Sequence, residues 1–382
     1  MIHITKKDAC CACGACVSKC PVSAIELVSD TYGNYYPEVD QNACINCGQC
    51  EKVCLYCNDI VFADPQKTYA VKLKSIKSLR KCASGGAFTA IAESFLSGKN
   101  VIVYGCKFDD SLQAGIVGIE KIEDIPLLQG SKYVRSVVTV YPEIVAHLKQ
   151  GKKILFSGTP CQCEALKLYC GSFSENLYTI ELICHGVIDI DFWKDYIQLL
   201  GARNHAEIVD YAFRNKDLNK RFTSRYTSRY TSRYTGKVIT KIHYESAATS
   251  YYYHHFLKGS IFRENCYVCP FAGRQRVADI TIGDYWGYRG EIESKDGLSV
   301  LIVNSQKGEF LFQNAKELLE YELTSFHDAA RINEQLNRPY SIEKKDYSVL
   351  KEWKENGTKA LQQSHRKKHW KAYFLSKINL LP

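Results

Sequence analysis

Two cysteine runs near the start of the chain constrain its fold more than any other feature. The runs read Cys10-x2-Cys13-x2-Cys16-x3-Cys20-Pro21 and Cys44-x2-Cys47-x2-Cys50-x3-Cys54. This spacing is typical of proteins that hold two [4Fe–4S] clusters, in which the fourth cysteine of each run ligates the other cluster. The crossed arrangement predicts one cluster on Cys10, Cys13, Cys16 and Cys54, and a second on Cys44, Cys47, Cys50 and Cys20.

The alternative for these runs is zinc, which would favour four ligands in paired spacing rather than two complete runs of three plus one. Leu55 stands where a proline usually follows the fourth cysteine of such a run. Cys11 and Cys57 are left over, and we predict that neither is a ligand. Gly14 and Gly48 would let backbone N–H groups approach the cluster sulfurs.

The cysteine content also indicates the compartment. Ten of the 18 cysteines lie between Cys10 and Cys57, and the chain begins without the apolar stretch of a signal peptide. In a long chain of this kind, metal ligation is a better interpretation than disulfide bonding. We therefore predict a cytoplasmic protein, and no apolar run is long enough for a membrane span.

The net charge is +9, with a concentration of basic residues at 365–371. Such a charge could attract an acidic redox partner or an anionic substrate, although a charge run is more often only a solvated surface. No nucleic-acid recognition motif accompanies it, so we predict no nucleic-acid binding.

We predict that the chain divides into three parts. Residues 1–62 are expected to form an α+β ferredoxin-like domain, which is too small to bury much core. Residues 63–340 are expected to form a larger α/β domain, and residues 341–382 a basic helical tail. The tail is expected to dock on its own protein rather than lie on a membrane. Lysine-rich residues 63–80 have the composition of a linker.

Beyond the linker, strands and helices alternate, which favours a central α/β sheet. Predicted strands lie at 101–105, 153–156, 178–183 and 298–303, and a further strand at 278–284 runs into an aromatic loop. Predicted helices lie at 84–97, 142–150, 191–200 and 307–321, with another after Thr159-Pro160. The repeated Thr-Ser-Arg-Tyr unit at 223–235 alternates as an exposed β-ribbon would.

Several short segments together point to a known family. They are Ser84-Gly85-Gly86-Ala87-Phe88-Thr89, Gln129-Gly130-Ser131-Lys132-Tyr133-Val134, Ser157-Gly158-Thr159-Pro160-Cys161-Gln162, Cys184-His185-Gly186-Val187 and Ala278-Asp279-Ile280-Thr281-Ile282-Gly283-Asp284. In content and order the chain resembles, over about residues 1–290, the coenzyme F420 hydrogenase/dehydrogenase beta-subunit family. The resemblance implies an iron–sulfur protein that also binds FAD.

The resemblance turns three sets of residues into candidate FAD contacts. Glycines at a helix start leave bare N–H groups that suit a phosphate, and strand-to-helix turns are where open α/β sheets bind ligands. The candidates are Ser84, Gly85, Gly86, Ser131, Lys132, Tyr133, Gly158 and Thr159. The chain has no G-x-G-x-x-G, so a Rossmann NAD site is not supported.

Four more cysteines could hold a third [4Fe–4S] cluster near the flavin. They are Cys161, Cys184, Cys266 and Cys269, of which the first two end predicted strands. The pair Cys266-x2-Cys269 alone would be equally compatible with zinc or with no metal. Cys163 and Cys170 are poorer candidates, and Cys82 and Cys106 have the character of ordinary buried thiols.

His185 could donate a proton near the flavin or act only in support of a ligand, and Asp284 is a second candidate catalytic residue. The predicted function is an FAD- and [4Fe–4S]-dependent oxidoreductase that exchanges electrons with ferredoxin or another redox protein and an organic substrate or deazaflavin. Two alternatives remain: a non-catalytic electron-transfer subunit that docks on a partner enzyme, and a redox-sensing module without flavin. The substrate, the direction of electron flow and the oligomeric state stay open.

Overall fold

The described part of this computed structural model comprises residues 7–216, 223–232 and 234–377. Residues 1–6 of the predicted N-terminal domain, Arg233 of the Thr-Ser-Arg-Tyr repeat and residues 378–382 of the predicted tail lie outside it. The strands are β1 (Ile25–Ser29), β2 (Tyr35–Val39), β3 (Lys67–Leu73), β4 (Val101–Phe108), β5 (Ala114–Ile119), β6 (Lys153–Gly158), β7 (Leu177–Leu182), β8 (Glu207–Ala212), β9 (Thr223–Thr231), β10 (Val238–Ser246), β11 (Ile280–Asp284), β12 (Ser299–Val303) and β13 (Leu319–Thr324).

The α-helices follow the same chain order. They are α1 (Ala15–Lys19), α2 (Gln49–Lys52), α3 (Ile76–Leu79), α4 (Ala87–Leu96), α5 (Ile125–Leu128), α6 (Tyr141–Lys149), α7 (Pro160–Cys170), α8 (Ile190–Asn204), α9 (Tyr251–Lys258), α10 (Glu264–Tyr267), α11 (Gln306–Ala315), α12 (Phe326–Ala330), α13 (Tyr347–Lys368) and α14 (Trp370–Lys377). Short 3₁₀ turns join several of them, and α13 is interrupted at Gly357.

The two cysteine runs have matching local structures. In each run the residue before the second cysteine has positive φ (Ala12 +50°, Asn46 +53°), and a glycine with positive φ then caps a short helix (Gly14 +80°, Gly48 +68°). These conformations bend the loops sharply, and glycine adopts them without steric cost. Strands β1 and β2 form an antiparallel pair between the runs.

An eight-stranded mixed sheet has the order β13-β3-β12-β11-β7-β6-β4-β5. Its central strands β4, β6, β7 and β11 are parallel, so their carboxyl ends lie at one edge of the sheet. Apolar residues from β3, β7, β11, β12 and the helices α4 and α11 form a core against this sheet. The mixed α/β architecture and the helical C-terminal region predicted from the sequence are confirmed, whereas the ferredoxin-like fold of residues 1–62 stays a prediction.

Two sequence expectations are wrong. The lysine-rich linker contains β3, which lies inside the large sheet between β12 and β13. Lysine is accommodated there because Lys72 Nζ donates to Glu293 O (2.8 Å) and Lys74 Nζ to Glu317 O (2.9 Å). The helix predicted at 307–321 ends at Ala315, and from Leu319 the chain pairs with β3 as β13.

The repeat segment does form a strand, since β9 pairs with both β8 and β10. It is not a fully exposed ribbon, because Ser224, Tyr226 and Ser228 are buried. The C-terminal helices pack on the protein itself: Trp353 of α13 contacts Phe192 and donates from Nε1 to Asp195 (2.8 Å). Among the described residues no helix has both the length and the apolar character needed to cross a membrane.

Candidate functional site

A cavity of about 600 Å³ opens at the edge where β6, β7 and β11 end. Ligands of open α/β sheets bind at such edges because loops leaving parallel strands diverge there. Every residue predicted to be catalytic or to bind a cofactor lines this cavity, except Gly85. The cavity therefore unites five segments that are far apart in sequence.

The first predicted cluster set comes together in the folded chain. Burial raises the pKa of the Cys16 thiol, and the neighbouring Cys13, Cys10 and Cys54 raise it further. These are the four cysteines that the crossed assignment combines. The pKa of Cys54 is raised to about 12, chiefly because burial disfavours the charged thiolate form.

The second predicted set also assembles across the two runs. Cys20, Cys44, Cys47 and Cys50 line one small cavity of about 20 Å³ together with apolar residues. Cys47 is exposed and Cys50 is buried, so this set reaches from the surface to the interior. A shared apolar cluster that contains Cys16 and Cys50 lies between the two sets.

Cys161, Cys184, Cys266 and Cys269 converge on the large cavity, as the third predicted set requires. Burial raises the pKa of Cys184, and Cys266, Cys161 and Cys269 add to the increase. Burial also raises the pKa of Cys266 to about 11 and that of Cys269 to about 12. Unlike these thiols, Cys161 has a pKa lowered to about 7, chiefly by a hydrogen bond with Cys11.

The local structure around Cys161 explains its position. Thr159 caps α7 and Gln162 returns the contact, with Thr159 N donating to Gln162 Oε1 (3.0 Å). Cys161 thus sits in the first turn of an eleven-residue helix, where free N–H groups stabilise negative charge. Its thiol therefore occupies the position expected of an anionic ligand in the cavity lining.

Cys11, which the sequence left as a spare residue, lies between two of the predicted sets. Its thiol is adjacent to those of Cys13 and Cys161, and hydrogen bonding with these two thiols raises the pKa of Cys11. The N-terminal loop is thereby in direct contact with the cavity. The only sequence signal for this role is the doubled Cys10-Cys11 at the start of the first run.

The cysteine sulfurs are not gathered as closely as a preformed zinc site would require. In residues 7–216, 223–232 and 234–377, just one group of three or more histidine, cysteine or carboxylate ligand atoms lies within 4.8 Å, and it consists of histidines. A tetrahedral zinc ion with Zn–S bonds near 2.3 Å would need sulfurs about 3.8 Å apart. Zinc at the cysteine sets therefore has no support in the geometry of the described residues.

One wall of the cavity is cationic. Lys132 donates from Nζ to Gln129 O (2.8 Å), and burial lowers the pKa of its ammonium group. Arg214 forms an ion pair with Asp284 (2.6 Å) and lies over the Trp286 ring. Beside them, Gly86 (φ +86°) is the N-cap residue of α4 and, having no side chain, leaves the first N–H groups of the helix without a side-chain cap. This wall is suited to an anionic group.

Gly85 has a different environment from its neighbours. Its N–H donates to Ser299 Oγ (2.9 Å), and a Cβ at this position would lie 2.3 Å from Ser299 N. The residue therefore lets β12 and the loop before α4 approach closely, and it does not line the cavity. The predicted cofactor contact at Gly85 has no support in this position.

The two predicted catalytic residues lie in the cavity wall but are constrained. His185 Nε2 lies 3.2 Å from the Tyr340 hydroxyl, and burial lowers its pKa, which disfavours the imidazolium form. Asp284 is held by Arg214. Both residues have defined neighbours that position them, and a proton-transfer role for either stays a prediction.

Two family models match separate parts of the chain. The family model for the C-terminal part of the beta subunit of coenzyme F420 hydrogenase/dehydrogenase matches residues 151–329, and the model of a 4Fe-4S dicluster domain matches residues 9–57. The resemblance predicted from the sequence is confirmed. The chain joins a C-terminal domain of the coenzyme F420 hydrogenase/dehydrogenase beta-subunit type to an N-terminal 4Fe-4S dicluster domain.

Two proteins whose names mention coenzyme F420 are similar to this chain. A component of the F(420)H(2) dehydrogenase of Methanosarcina mazei is 24% identical over 210 residues, which are 51% of this chain and 58% of the relative. The chain thus spans less than two thirds of that relative's length. A chain of the F420-reducing [NiFe] hydrogenase complex from Methanosarcina barkeri has 17% identity and a TM-score of 0.44, and the alignment covers 80% of this chain and 94% of the other.

These comparisons correct one expectation. The sequence resemblance implied an FAD-dependent enzyme, but the family and the M. mazei relative are described by coenzyme F420. Neither description names FAD. The predicted dependence on FAD is therefore wrong, whereas the iron–sulfur part of the prediction is confirmed at the level of the dicluster domain.

Proposed function

We propose that this chain is an iron–sulfur electron-transfer protein that connects a redox partner protein with an organic acceptor held in the cavity. The observation that carries the proposal is the meeting of two predicted cysteine sets at one cavity, whose lining includes Cys11 and Cys13 of the N-terminal loop as well as Cys161, Cys184, Cys266 and Cys269. Clusters bound at the three cysteine sets would supply single electrons, and two of these together with one proton from solvent would reduce one acceptor molecule by a hydride equivalent. The protein's part is to hold the thiolates, exclude water and place the acceptor.

The order of the sets favours entry of electrons from the N-terminal domain. The second set contains a surface-exposed cysteine, Cys47, and it is flanked by the exposed apolar side chains of Ile45 (61%) and Val22 (41%). Exposed apolar side chains beside a redox site suit docking of a partner protein. The first set then lies between this surface and the third set at the cavity.

The cavity wall favours a planar aromatic acceptor that carries negative charge. Tyr133, Phe256 and Trp286 supply aromatic surface, and Lys132 supplies positive charge, whereas the charge of Arg214 is already paired with Asp284. The acceptor we propose is a deazaflavin of the coenzyme F420 type, because it combines an aromatic ring system with anionic groups. The family name supports the same class of molecule.

The test is anaerobic mixing of dithionite-reduced chain with coenzyme F420, with bleaching of the oxidised deazaflavin as the readout. Stoichiometric reduction, faster than with dithionite alone, would support the proposal. A chain with intact clusters that neither binds nor reduces the deazaflavin would contradict it.

Replacing Lys132 by methionine is expected to weaken deazaflavin binding by about 10- to 100-fold, because a hydrogen bond to a charged group contributes about 1.5–3 kcal/mol. Fluorescence titration of oxidised coenzyme F420 into the holoprotein measures this change. Lys121→Met is the matched control, since Lys121 is exposed and lies outside the cavity lining. Equal affinity in both variants would remove Lys132 from the acceptor site.

A second candidate function is a non-catalytic subunit that passes electrons to a partner enzyme. The name of the M. mazei relative, one component of a dehydrogenase, favours it. This alternative predicts that the reduced chain alone does not turn over deazaflavin and that addition of a partner enzyme reoxidises its clusters.

A further inference from the structure

Three histidines from two helical segments bring their rings together outside the cysteine sets. They are His254 of α9, His365 of α13 and His369, which follows α13 directly. One ring nitrogen of each lies within 4.8 Å of those of the other two, and the ring centroids are 4.5–5.0 Å apart. Among the described residues this is the single group of potential ligands that is so compact.

The sequence spacing explains how two of the rings meet. His365 and His369 are four residues apart, so they lie on one face of the helix. That face packs against α9, where His254 projects toward it. The basic run at 365–371, which the sequence indicated only as a charged surface, thus contains two inward-facing imidazoles.

The tautomer of His365 is fixed by its surroundings. Its Nε2 lies 3.0 Å from the carbonyl oxygen of Ala248, and a carbonyl only accepts. Nε2 therefore carries the proton, and the lone pair is on Nδ1. Metal-binding histidines characteristically donate their second nitrogen to a carbonyl or carboxylate in this way.

The group lies at the edge of the packed interior: His365 is buried, whereas His254 and His369 are partly exposed. Lys258 and Lys368 stand near the group and oppose a cation, but both are solvent-exposed. Water and salt screen such exposed charges strongly.

We propose that His254, His365 and His369 bind one divalent transition-metal ion of the zinc class. Three imidazoles with a fourth position left to water form a set that Zn²⁺ accepts, with Zn–N bonds of about 2.0–2.1 Å. Tetrahedral coordination at that length requires nitrogens about 3.4 Å apart. The side chains of His254 and His369 are partly exposed, so their rings can rotate and bring the ligand nitrogens to this distance.

A metal here would fasten the C-terminal helices to a wall of the cavity. His254 is two residues before Phe256, which lines the cavity and stacks on Tyr133 with ring centroids 4.1 Å apart. An ion that binds only the folded arrangement stabilises it by mass action. The site is independent of the proposed electron-transfer function, so either can fail without the other.

The test uses the cluster-loaded chain, purified without oxygen and treated with chelator, with Co²⁺ as the probe. We expect one Co²⁺ per chain with visible bands that lack sulfur-to-cobalt charge transfer. His369→Gln is expected to weaken Co²⁺ binding at least about 100-fold. Removing a residue that only supports a metal ligand costs up to about 100-fold, and removing a ligand itself should cost no less. His327→Gln, at an exposed position of α12, is the matched control and should bind as the unaltered chain does.

Because His369 is partly exposed, its variant is expected to keep its iron and its metal-free melting temperature. Should it not, His254→Gln replaces it as the test variant and must show the same loss of Co²⁺ binding. Absence of Co²⁺ binding, sulfur-to-cobalt absorption, or unchanged affinity in the histidine variants would each overturn the proposal.

Discussion

Replacement of Cys184 and Cys269 together by alanine is expected to lower the iron content from about 12 to about 8 atoms per chain, since each [4Fe–4S] cluster holds four. Both thiols belong to the set that faces the cavity, and two missing ligands leave too few to retain a cluster. Iron and acid-labile sulfide analysis of anaerobically purified protein measures this directly. The remaining iron should stay with the N-terminal domain.

The same double variant is also expected to lose its reduction of the deazaflavin completely, although it keeps about two thirds of its iron. In the proposed function the third set relays electrons from the N-terminal loop to the acceptor, so reduction of a cavity-bound deazaflavin is expected to fall to the rate seen without the chain. Cys106→Ala is the matched control, because Cys106 also lines the cavity but lies outside the set. About 8 iron atoms in the unaltered chain, or unchanged iron in the double variant, would show that the third site holds no cluster.

The second large effect is expected at Asp189, which joins the N-terminal domain to the rest of the chain. Its buried carboxylate accepts from Arg135 Nε (2.7 Å), from Tyr35 N (3.0 Å) and from Arg263. Arg263 in turn donates to Cys10 O (3.2 Å), so the pair of guanidinium groups supports the first cluster loop.

Asp189→Asn is therefore expected to lower the free energy of unfolding by about 3–5 kcal/mol, because it leaves two buried cations without their counter-charge. The measurement is an anaerobic urea titration followed by cluster absorbance. Asp191→Asn is the matched control, since Asp191 is only partly buried and accepts from the Tyr35 hydroxyl (2.8 Å). A loss below about 1 kcal/mol at Asp189 would contradict the assigned role.

The ionisation of the Asp189 carboxyl group sets how the difference in unfolding free energy between Asp189→Asn and the unaltered chain depends on pH. Burial raises the pKa of Asp189, but Arg135 and Arg263 outweigh burial and hold it below its usual 3.8. A lowered pKa in the folded state stabilises the protein fully above the unfolded value and loses that contribution as the pH falls through the folded value. The difference between Asp189→Asn and the unaltered chain should thus be constant from about pH 5 to pH 8.

Local sequence was sufficient for the elements that carry a strong pattern. The strands β6, β7 and β12 and the helices α4, α6 and α8 appear close to their predicted places, because apolar periodicity and glycine stops act over a few residues. It failed for β3 and β13, whose strand conformation is imposed by neighbours in the sheet. Lys72 illustrates the reason: its charge suggested a linker, whereas its amine reaches a backbone carbonyl 221 residues away in sequence.

The same division holds for the candidate site. The crossed pairing of the two N-terminal runs stays a prediction, but the sequence did indicate which cysteines lie near one another, since the spacing of thiols on one short loop limits which cluster each can reach. The role of Cys11 was not indicated, because its partner Cys161 is supplied by a helix that the large sheet places opposite the loop. Arg214 and Phe256 were missed in the cavity wall for a similar reason, as they occur in no recognisable motif.

The sequence by itself determined that the chain has an N-terminal 4Fe-4S dicluster domain and a C-terminal domain of the F420 hydrogenase/dehydrogenase beta-subunit type, because cysteine spacing and short ordered motifs are local properties. Only the tertiary structure decided which thiols face the cavity, where positive charge gathers and that His254 meets His365 and His369. These relations depend on strand order and helix packing, which bring together residues more than a hundred positions apart.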